Sequence, residues 1–363
     1  MWRILRPDAV EALRDQRARR SLRRYFGVLE ERLPARFMVC RAVRVDADLS
    51  SSTAELWRIH EEGMRRFRVL LKRVDSGLIR PGELERNGVS LLDLKVELAR
   101  RIMRSCHLCE RRCGVDRTAG RVGFCGVGAR PRIASEFMHY GEEGVLVPSY
   151  TIFFAGCTFR CVFCQNWDIS QDPEAGVEVS PEQMARLVER AKDDGARNVN
   201  WVGGNPDPNL PSILEALNLC EVSLSSVWNS NMYYSAEAAS LLSGTQDIYL
   251  TDFKWFSDSC ARKYSGVPRY LEVVGRNHRL AREDAELIIR HLVMPGHLRC
   301  CTEPILRWIA ENLGPEVRVN IMDQYRPCYR AGEYPEIDRR ISAEEYEAAI
   351  KMARESGLSN LEP

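Results

Sequence analysis

The hydrophobic positions of the chain repeat with helical spacing in its first hundred residues, and the pattern changes near residue 149. Apolar side chains recur at helical spacing along residues 56–71, and a second amphipathic pattern covers residues 91–103. Residues 37–45 fit a short strand. We therefore expect residues 1–100 to form a mostly helical N-terminal region.

After residue 149, short β-rich segments alternate with helical patterns. The six β-rich segments are residues 150–155, 198–202, 226–229, 247–251, 287–293 and 317–322. Ser180 and Ser342 each begin a capping box, which marks the start of a helix. This alternation predicts right-handed βαβ units and a parallel sheet. We expect an α/β fold over residues 146–363, a partial (β/α)6 barrel related to the TIM barrel, with its chemistry at the C-terminal ends of the strands.

Composition and charge narrow the class of protein. The chain has 363 residues, 45% of them hydrophobic, so it can bury a large core. Its 52 Lys and Arg nearly balance its 51 Asp and Glu, so net charge indicates no nucleic-acid partner. No segment has the ~20 apolar residues that span a bilayer, and the N-terminal residues lack the apolar core of a signal peptide. We therefore expect a cytoplasmic protein with no membrane contact.

The thirteen cysteines carry the clearest chemical signal in the chain. A reducing compartment disfavours disulfides and favours metal ligation. Cys157, Cys161 and Cys164 follow the first predicted barrel strand with the spacing C-x3-C-x2-C. Three thiolates on one loop can hold three irons of a [4Fe–4S] cluster and leave the fourth iron open to a chelating ligand. A zinc knuckle completed by an outside ligand is the alternative.

This loop, with the aromatic Phe163 before its last cysteine, resembles the signature of the radical S-adenosylmethionine (SAM) superfamily. The resemblance extends over about residues 100–360. It implies that the open iron binds the amino and carboxylate groups of SAM. It also implies that one electron from the cluster cleaves SAM to methionine and a 5′-deoxyadenosyl radical, which abstracts a substrate hydrogen atom. The chemistry implies an oxidoreductase-like anaerobic enzyme with an electron donor such as ferredoxin or flavodoxin.

The ends of the later predicted strands resemble SAM-contacting segments of the same superfamily. The residues that this resemblance assigns to SAM binding are Gly203, Gly204, Asn205, Asn229, Asn231, Asp252, Lys254 and Arg290. Asn205 stands where the family has Glu but keeps an acceptor oxygen, and Arg290 is expected to neutralise the SAM carboxylate. The alternatives are a simple turn around Asn205 and an ordinary ion pair between Asp252 and Lys254. Tyr325 and Arg326 are candidates for catalysis or substrate contact.

Three runs, at residues 163–170, 247–254 and 322–327, are similar to an archaeal and bacterial branch labelled pyruvate formate-lyase activating enzyme-like. That label is an analogy of fold, and function does not follow from fold. We therefore expect a radical SAM enzyme that modifies an unidentified peptide, RNA or metabolite. An activating enzyme that installs a glycyl radical on a partner protein is one alternative. A non-catalytic iron–sulfur and SAM-binding protein is an alternative of another class.

A second cysteine group, Cys106, Cys109, Cys113 and Cys125, has the spacing C-x2-C-x3-C-x11-C and defines a segment at residues 101–145. Four thiolates suit a closed site for zinc or an auxiliary [4Fe–4S] cluster, and the spacing leaves both open. A site that holds no metal is the further alternative.

Glu142 and Glu143 lie between the two cysteine groups, in a segment that resembles a His-x-Gly-Glu-Glu element of the same branch. Carboxylates beside a cluster can bind a substrate amine or deliver protons, and a solvated connector is the alternative. The six remaining cysteines have no ligand spacing, and we expect buried thiols among them to behave as small hydrophobes. Those cysteines are Cys40, Cys220, Cys260, Cys300, Cys301 and Cys328.

Overall fold

One eight-stranded sheet forms the centre of the protein, as described by a computed structural model for residue 4 and residues 6–362. The strands are β1 (Arg132–His139), β2 (Ser149–Phe154), β3 (Val177–Glu178), β4 (Asn198–Gly203), β5 (Ser225–Ser230), β6 (Ile248–Asp252), β7 (Glu286–Leu292) and β8 (Arg318–Met322). Their order is β3-β1-β2-β4-β5-β6-β7-β8, so β3 and β8 form two open edges. Residues 1–3, 5 and 363 lie outside the described residues. The expectation that the N-terminus lacks a signal peptide falls partly on these residues.

The six predicted strands are all present and mutually parallel, and each begins and ends within one residue of its expected position. The α/β fold with a partial barrel is therefore confirmed. Two further strands, β1 and β3, were not predicted; β1 is antiparallel to both β2 and β3. Both are partly exposed, β3 at one edge of the sheet and β1 next to it, so they lack the continuous apolar run that marks a buried parallel strand.

Fourteen α-helices of the described residues surround the sheet or precede it. They are α1 (Pro7–Glu11), α2 (Gln16–Ser21), α3 (Arg23–Leu29), α4 (Arg36–Ala42), α5 (Thr53–Asp75), α6 (Leu91–Met103), α7 (Trp167–Ser170), α8 (Pro181–Asp193), α9 (Leu210–Leu219), α10 (Ala236–Leu242), α11 (Asp258–Ser265), α12 (Tyr270–Asp284), α13 (Glu303–Leu313) and α14 (Ala343–Glu355). None of them combines the length and apolar character needed to cross a bilayer.

Local sequence signals explain several helix boundaries. The capping boxes predicted at Ser180 and Ser342 are confirmed, and both hydroxyls accept a hydrogen bond from the third residue of the helix. The strand expected at residues 37–45 is wrong, because α4 occupies most of that segment. Phe37, Val39 and Cys40 are all buried there, and an apolar run buried on several sides does not separate a helix from a strand. The division into three segments stays a prediction.

The two faces of the sheet have different partners. Trp228, Tyr249 and Ile289 belong to the large core shared with the surrounding helices. Val227, Leu250 and Ile288 belong to a second apolar cluster, and we call the face that carries them the inner face. This cluster packs against α2, α3 and the segment before β2, through residues that include Leu22, Tyr25, Phe26, Val145 and Leu146. The N-terminal helices therefore cover the N-terminal part of the inner face.

The inner face becomes polar towards the C-terminal ends of the strands. Side chains two residues apart in a strand share a face, so Asn229, Asp252 and Arg290 continue the face that carries the apolar cluster. Strand register brings these ends level, since Asp252 pairs with Arg290 across β6 and β7. The candidate site lies at this polar end.

Candidate functional site

The three cysteines of the C-x3-C-x2-C motif lie on the loop that follows β2. Cys157 and Cys161 are buried, and Cys164 is partly buried. Burial raises the pKa of all three thiols, to about 12 for Cys161. Without a metal these thiols stay protonated at neutral pH, so thiolate formation requires a cationic centre that releases their protons.

Each of the three sulfur atoms has a hydrogen-bonding neighbour. The contacts are Phe159 N to Cys157 Sγ (3.4 Å), Asn231 Nδ2 to Cys157 Sγ (3.8 Å), Cys161 Sγ to Ser265 Oγ (3.2 Å) and Cys164 Sγ to Ser170 Oγ (3.2 Å). Groups that hydrogen-bond to cluster sulfurs set the reduction potential of an iron–sulfur centre. The loop could thus supply the ligand atoms of a cluster, and the elements around it supply most of the groups that would tune them.

Aromatic rings cover the same loop. Phe163 packs against Trp255 and Tyr325, with ring centroids 5.8 Å and 6.1 Å away. The predicted candidate Tyr325 is itself buried, and its hydroxyl donates to the Ile337 carbonyl at 2.7 Å. The other candidate at this strand end, Arg326, is exposed. Tyr325 therefore forms part of the apolar cover behind the loop.

Gly203 and Gly204 lie where β4 ends against the start of the cysteine loop. A Cβ on Gly203, whose φ is +109°, would lie 2.0 Å from the Phe154 nitrogen, and one on Gly204 would lie 2.1 Å from the Gly156 carbonyl oxygen. Neither backbone can accept a side chain, so both glycines are needed for the close approach of the two strand ends.

Asn205 and Asn231 both contact Thr158, the residue after the first cysteine of the loop. The side-chain amides of Asn205 and Asn231 each donate to Thr158 Oγ1 at 3.0 Å. Asn231 Oδ1 accepts from the Tyr233 backbone at 3.1 Å. Asn205 Oδ1, by contrast, is buried without a hydrogen-bond partner among the described residues. An unpaired buried acceptor costs roughly 1–3 kcal/mol, so this oxygen suits a ligand ammonium group.

Asp207 was not among the sequence candidates. It is buried two residues after Asn205, and its Oδ1 accepts a hydrogen bond from Ser230 Oγ at 2.6 Å. The side-chain donors of Asn205 and Trp228 also lie near its carboxylate, and burial outweighs these contacts and raises its pKa to about 6. The signal that could have revealed it is an acidic residue within the turn that follows Gly203 and Gly204.

Arg290 contacts two buried carboxylates of the chain. Its Nε and Nη2 donate to the two oxygens of Glu143 at 2.7 Å and 2.8 Å, and Nη2 also pairs with Glu142. Its Nη1 lies 3.4 Å from Asn229 Oδ1. Burial opposes ionisation of Glu143, but the charge of Arg290 and the hydrogen bonds from Arg290 and Asn320 together outweigh it and lower the pKa of that carboxyl. Arg290, expected to meet SAM, is thus held by the chain itself.

The segment that carries Glu142 and Glu143 lies on the inner face. Both glutamates are buried, at 7% and 5% exposure. Glu142 accepts from Asn200 Nδ2 at 3.0 Å, and Glu143 accepts from Asn320 Nδ2 at 2.9 Å. His139 Nδ1 lies 3.5 Å from Glu142. The interpretation of this segment as a solvated connector is therefore wrong.

Asp252 and Lys254 form an ion pair at the end of β6, and both side chains are partly exposed. The ordinary ion pair considered as the alternative for these two residues is therefore present. Because Asp252 lies opposite Arg290 across the strand pair, the ion pair borders the cluster of Glu142, Glu143 and Arg290.

The second cysteine group lies beside the first. Cys106, Cys109 and Cys125 are buried, Cys113 is exposed, and burial raises the pKa of Cys109 and Cys125. The buried Arg117 lies with its Nη1 4.0 Å from Cys106 Sγ. This guanidinium supplies positive charge next to the sulfur atoms.

The two cysteine groups are in direct backbone contact. A Cβ on Gly156, which precedes Cys157 and has a φ of +78°, would lie 2.5 Å from the Cys125 carbonyl oxygen. Arg111 Nε donates to the Thr158 carbonyl at 3.1 Å, which joins the second group to the loop of the first. Arg111 and Arg160 both stack on Phe124, at 3.8 Å and 4.3 Å from its centroid.

Comparisons with known proteins bear on the family. A family model described as "Radical SAM superfamily" matches residues 151–309. The uncharacterized protein MJ0674 of Methanocaldococcus jannaschii is 46% identical over 344 residues, which cover 93% of this chain and 98% of that protein. The uncharacterized protein MJ0808 of the same organism is 28% identical over 105 residues, which cover 23% of this chain and 31% of that protein.

Solved structures are similar at much lower identity. Methylornithine synthase (PylB) is 13% identical, with a TM-score of 0.43 and coverage of 74% of this chain and 70% of that chain. SuiB of Streptococcus suis, solved with S-adenosylmethionine bound, is 14% identical, with a TM-score of 0.42 and coverage of 56% and 47%. The chain thus spans about half the length of SuiB. The pyruvate formate-lyase activating enzyme-like branch gains no support from these comparisons. From the family match over the barrel and the full-length relative, the chain belongs to the radical SAM superfamily of enzymes, whose cofactors are a [4Fe–4S] cluster and SAM.

Proposed function

We propose that Cys157, Cys161 and Cys164 hold the catalytic [4Fe–4S] cluster and that the enzyme cleaves SAM reductively to abstract a hydrogen atom from its substrate. The observation that carries this proposal is the unpaired Asn205 Oδ1, buried beside the cysteine loop and held there through Thr158. When bound, the cluster supplies one electron to SAM, which yields the 5′-deoxyadenosyl group that takes up the hydrogen atom.

The chain's own residues would orient SAM in this proposal. Asn205 Oδ1 accepts a hydrogen bond from the SAM ammonium, and this bond satisfies an oxygen that otherwise stays unpaired. Asp252 and Lys254 exchange part of their mutual ion pair for contacts with SAM, which their partial exposure permits. Asn229 and Asn231 stay mainly structural, since one contacts Arg290 and the other contacts the cluster loop.

The spacing of the sulfur atoms supports iron–sulfur clusters in both cysteine groups. Tetrahedral zinc, with Zn–S bonds of about 2.3 Å, places its sulfur ligands roughly 3.8 Å apart. Among the described residues, neither cysteine group has three sulfur atoms within 4.8 Å of one another. A cubane distributes its thiolates over separate irons and so holds them farther apart. We therefore propose an auxiliary [4Fe–4S] cluster on Cys106, Cys109, Cys113 and Cys125.

The auxiliary cluster would relay electrons to the catalytic one. Two observations support this role: the backbone contact between Gly156 and Cys125, and the exposure of Cys113 on the outer side of the second group. Radical SAM enzymes need an electron donor, and a ferredoxin or flavodoxin would dock near Cys113. The fourth protein thiolate makes this second site closed, so it has no open iron for SAM.

The charges of the inner face support a substrate with a positively charged group. Three carboxylates, on Glu142, Glu143 and Asp252, face two cations, on Lys254 and Arg290. The formal balance is one net negative charge among side chains that are largely buried, where electrostatic attraction is stronger than in water. A peptide, RNA or metabolite that carries an amine meets this requirement. Activation of a glycyl-radical protein remains the alternative function.

The test is an anaerobic turnover assay. The full chain is reconstituted with iron and sulfide, mixed with SAM and dithionite, and assayed for 5′-deoxyadenosine by liquid chromatography. Wild type and the matched control Cys220→Ser, whose buried thiol lies outside both groups, should produce it, whereas Cys161→Ala should not. The assay is repeated with a mixture of small amines extracted from cells, as candidate substrates. The non-catalytic alternative is favoured if wild type holds a complete cluster and binds SAM but forms no deoxyadenosine under either condition.

A further inference from the structure

A third group of metal-ligating side chains lies outside both cysteine motifs. The Sγ atoms of Cys260 and Cys300 and a ring nitrogen of His297 lie within 4.8 Å of one another. Cys260 lies in α11, which follows β6, whereas His297 and Cys300 lie after β7, next to and within the π-helical turn Leu298–Thr302. His297 and Cys300 are three residues apart, but Cys260 lies 37 residues before His297, so the three together form no short spacing motif.

The separation of these atoms suits one metal ion. Zinc bonds of about 2.3 Å to sulfur and about 2.0 Å to nitrogen place tetrahedral ligand atoms roughly 3.5–3.8 Å apart. Within the part of the chain that the structure describes, no other set of three Cys, His, Asp or Glu side chains has all its ligand atoms within 4.8 Å of one another. Two thiols and one imidazole form a donor set that zinc prefers to magnesium or calcium.

The His297 ring is held in the state that metal binding requires. Its Nδ1 donates to the Pro295 carbonyl at 2.7 Å, which leaves the lone pair on Nε2. The ring is buried and packs edge-on against Trp255 and Tyr264, with centroids 5.4 Å and 5.1 Å away. A carbonyl that fixes the tautomer and a packed ring that fixes the orientation are usual features of ligating histidines.

We infer that Cys260, His297 and Cys300 bind one zinc ion that holds α11 against the turn after β7. The three protein ligands leave a fourth position. The Cys301 sulfur lies 3.6 Å from that of Cys300, and Cys300 itself is exposed to solvent. Loss of two thiol protons on binding makes the affinity fall at low pH.

The ion would stabilise the wall behind the cysteine loop after β2. Trp255 contacts His297 on one side and Phe163 on the other. Its Nε1 donates to Ser265 Oγ at 2.9 Å, and Ser265 Oγ accepts from Cys161 Sγ at 3.2 Å. The ion is therefore structural in this inference: it fixes α11, which ends at Ser265, against the loop. This inference does not depend on SAM cleavage.

The test measures zinc in the full chain. Wild type, Cys260→Ser, His297→Gln and Cys300→Ser are produced in zinc-supplemented medium and purified anaerobically with a competing chelator. The number of zinc ions per chain is then measured by elemental mass spectrometry. Each variant should hold about one zinc ion fewer than wild type, and the matched control Cys220→Ser should hold as many. Equal zinc in wild type and all three variants would overturn the inference.

Two further measurements keep the result independent of misfolding. Co²⁺ added to the zinc-depleted wild type should give thiolate-to-cobalt charge-transfer absorption that His297→Gln weakens, while circular dichroism and iron content stay unchanged. If the variants do not fold, removal of zinc from wild type by chelator should lower its melting temperature without loss of iron. A disulfide between Cys260 and Cys300 in anaerobically purified protein would also overturn the inference.

Discussion

Glu143 binds Arg290 through both of its carboxylate oxygens, although Glu143 precedes β2 and Arg290 lies far along the chain in β7. The Nε–Oε1 and Nη2–Oε2 distances are 2.7 Å and 2.8 Å, and Glu143 is almost fully buried. A bidentate pair of this geometry combines two charge-assisted hydrogen bonds. The strand end that the sequence assigned to SAM binding is therefore organised by a carboxylate from the segment before β2.

Breaking this pair from one side should be costly. Glu143→Ala leaves the buried Arg290 guanidinium with Glu142 as its remaining anionic partner. Removing one partner of a buried ion pair typically costs about 3–5 kcal/mol. We expect the free energy of unfolding in urea to fall by an amount approaching this range. The double variant Glu143→Ala/Arg290→Met should recover part of the loss, since it removes the buried guanidinium, while Glu142 keeps its hydrogen bond from Asn200. Fully additive losses would contradict a direct coupling of the two side chains.

Asn205 should contribute directly to SAM affinity. Asn205→Ala removes the unpaired Oδ1, and a hydrogen bond to a charged group contributes about 1.5–3 kcal/mol, equivalent to roughly a tenfold to hundredfold weaker Kd. Isothermal titration of the reconstituted protein with SAM measures the change. Asn312→Ala is the control, since Asn312 is exposed on α13 and bonds only within its helix. An unchanged Kd for Asn205→Ala would remove Asn205 from the SAM site.

Cys109 should carry iron that is separate from the catalytic cluster. We expect Cys109→Ala to lower the iron content by about four ions per chain, while the cluster on Cys157, Cys161 and Cys164 and its SAM-dependent spectral change remain. Iron analysis and electron paramagnetic resonance of the reduced protein check this. If Cys109→Ala instead keeps all iron and loses one zinc ion, the second group is a zinc site.

Gly156 should be intolerant of any side chain because the two cysteine groups meet there. Gly156 and Gly120 have φ angles of +78° and +77°, but only Gly156 has backbone within reach of a Cβ, the Cys125 carbonyl at 2.5 Å. Gly120→Ala should cost only the left-handed strain of about 1–2 kcal/mol. Gly156→Ala should cost more and also lower the iron content of both groups. Equal stability of the two variants would argue against close packing of the two loops.

Glu286 should make stability depend on pH. Burial raises the pKa of Glu286 to about 7, despite hydrogen bonds from the Arg24 and Tyr25 backbone nitrogens. The folded protein binds this proton more tightly than the unfolded chain does. The resulting contribution of Glu286 to the free energy of unfolding is therefore fully present below the ordinary glutamate pKa. It declines as pH rises and is lost above about 7.

The comparison of wild type with Glu286→Gln isolates this contribution. Urea unfolding at a series of pH values should show wild type losing stability relative to Glu286→Gln between about pH 4.5 and pH 7. The difference should then level off at higher pH. A difference that does not vary across this window would mean that Glu286 titrates normally in the fold.

The parallel strands could be predicted closely because each is a short segment that contains β-branched or aromatic residues and alternates along the chain with helical patterns. The capping box at Ser180 depends only on contacts within one helical turn, so the sequence carries the whole signal. Residues 37–45 were mispredicted as a strand because their burial depends on the packing of distant elements around α4. β1 and β3 escaped prediction since many of their side chains are partly or fully exposed and they lack a buried apolar run.

The sequence by itself determined the parallel barrel core, the radical SAM signature and the cysteine groups, because each depends on residues near one another in the chain. Only the tertiary structure decided what Arg290 binds, since its partner Glu143 arrives on a different element. It likewise decided that Cys260, His297 and Cys300 converge. The physical reason is that spacing along one loop or helix constrains local geometry, whereas contacts between strand ends depend on the order and register of the sheet.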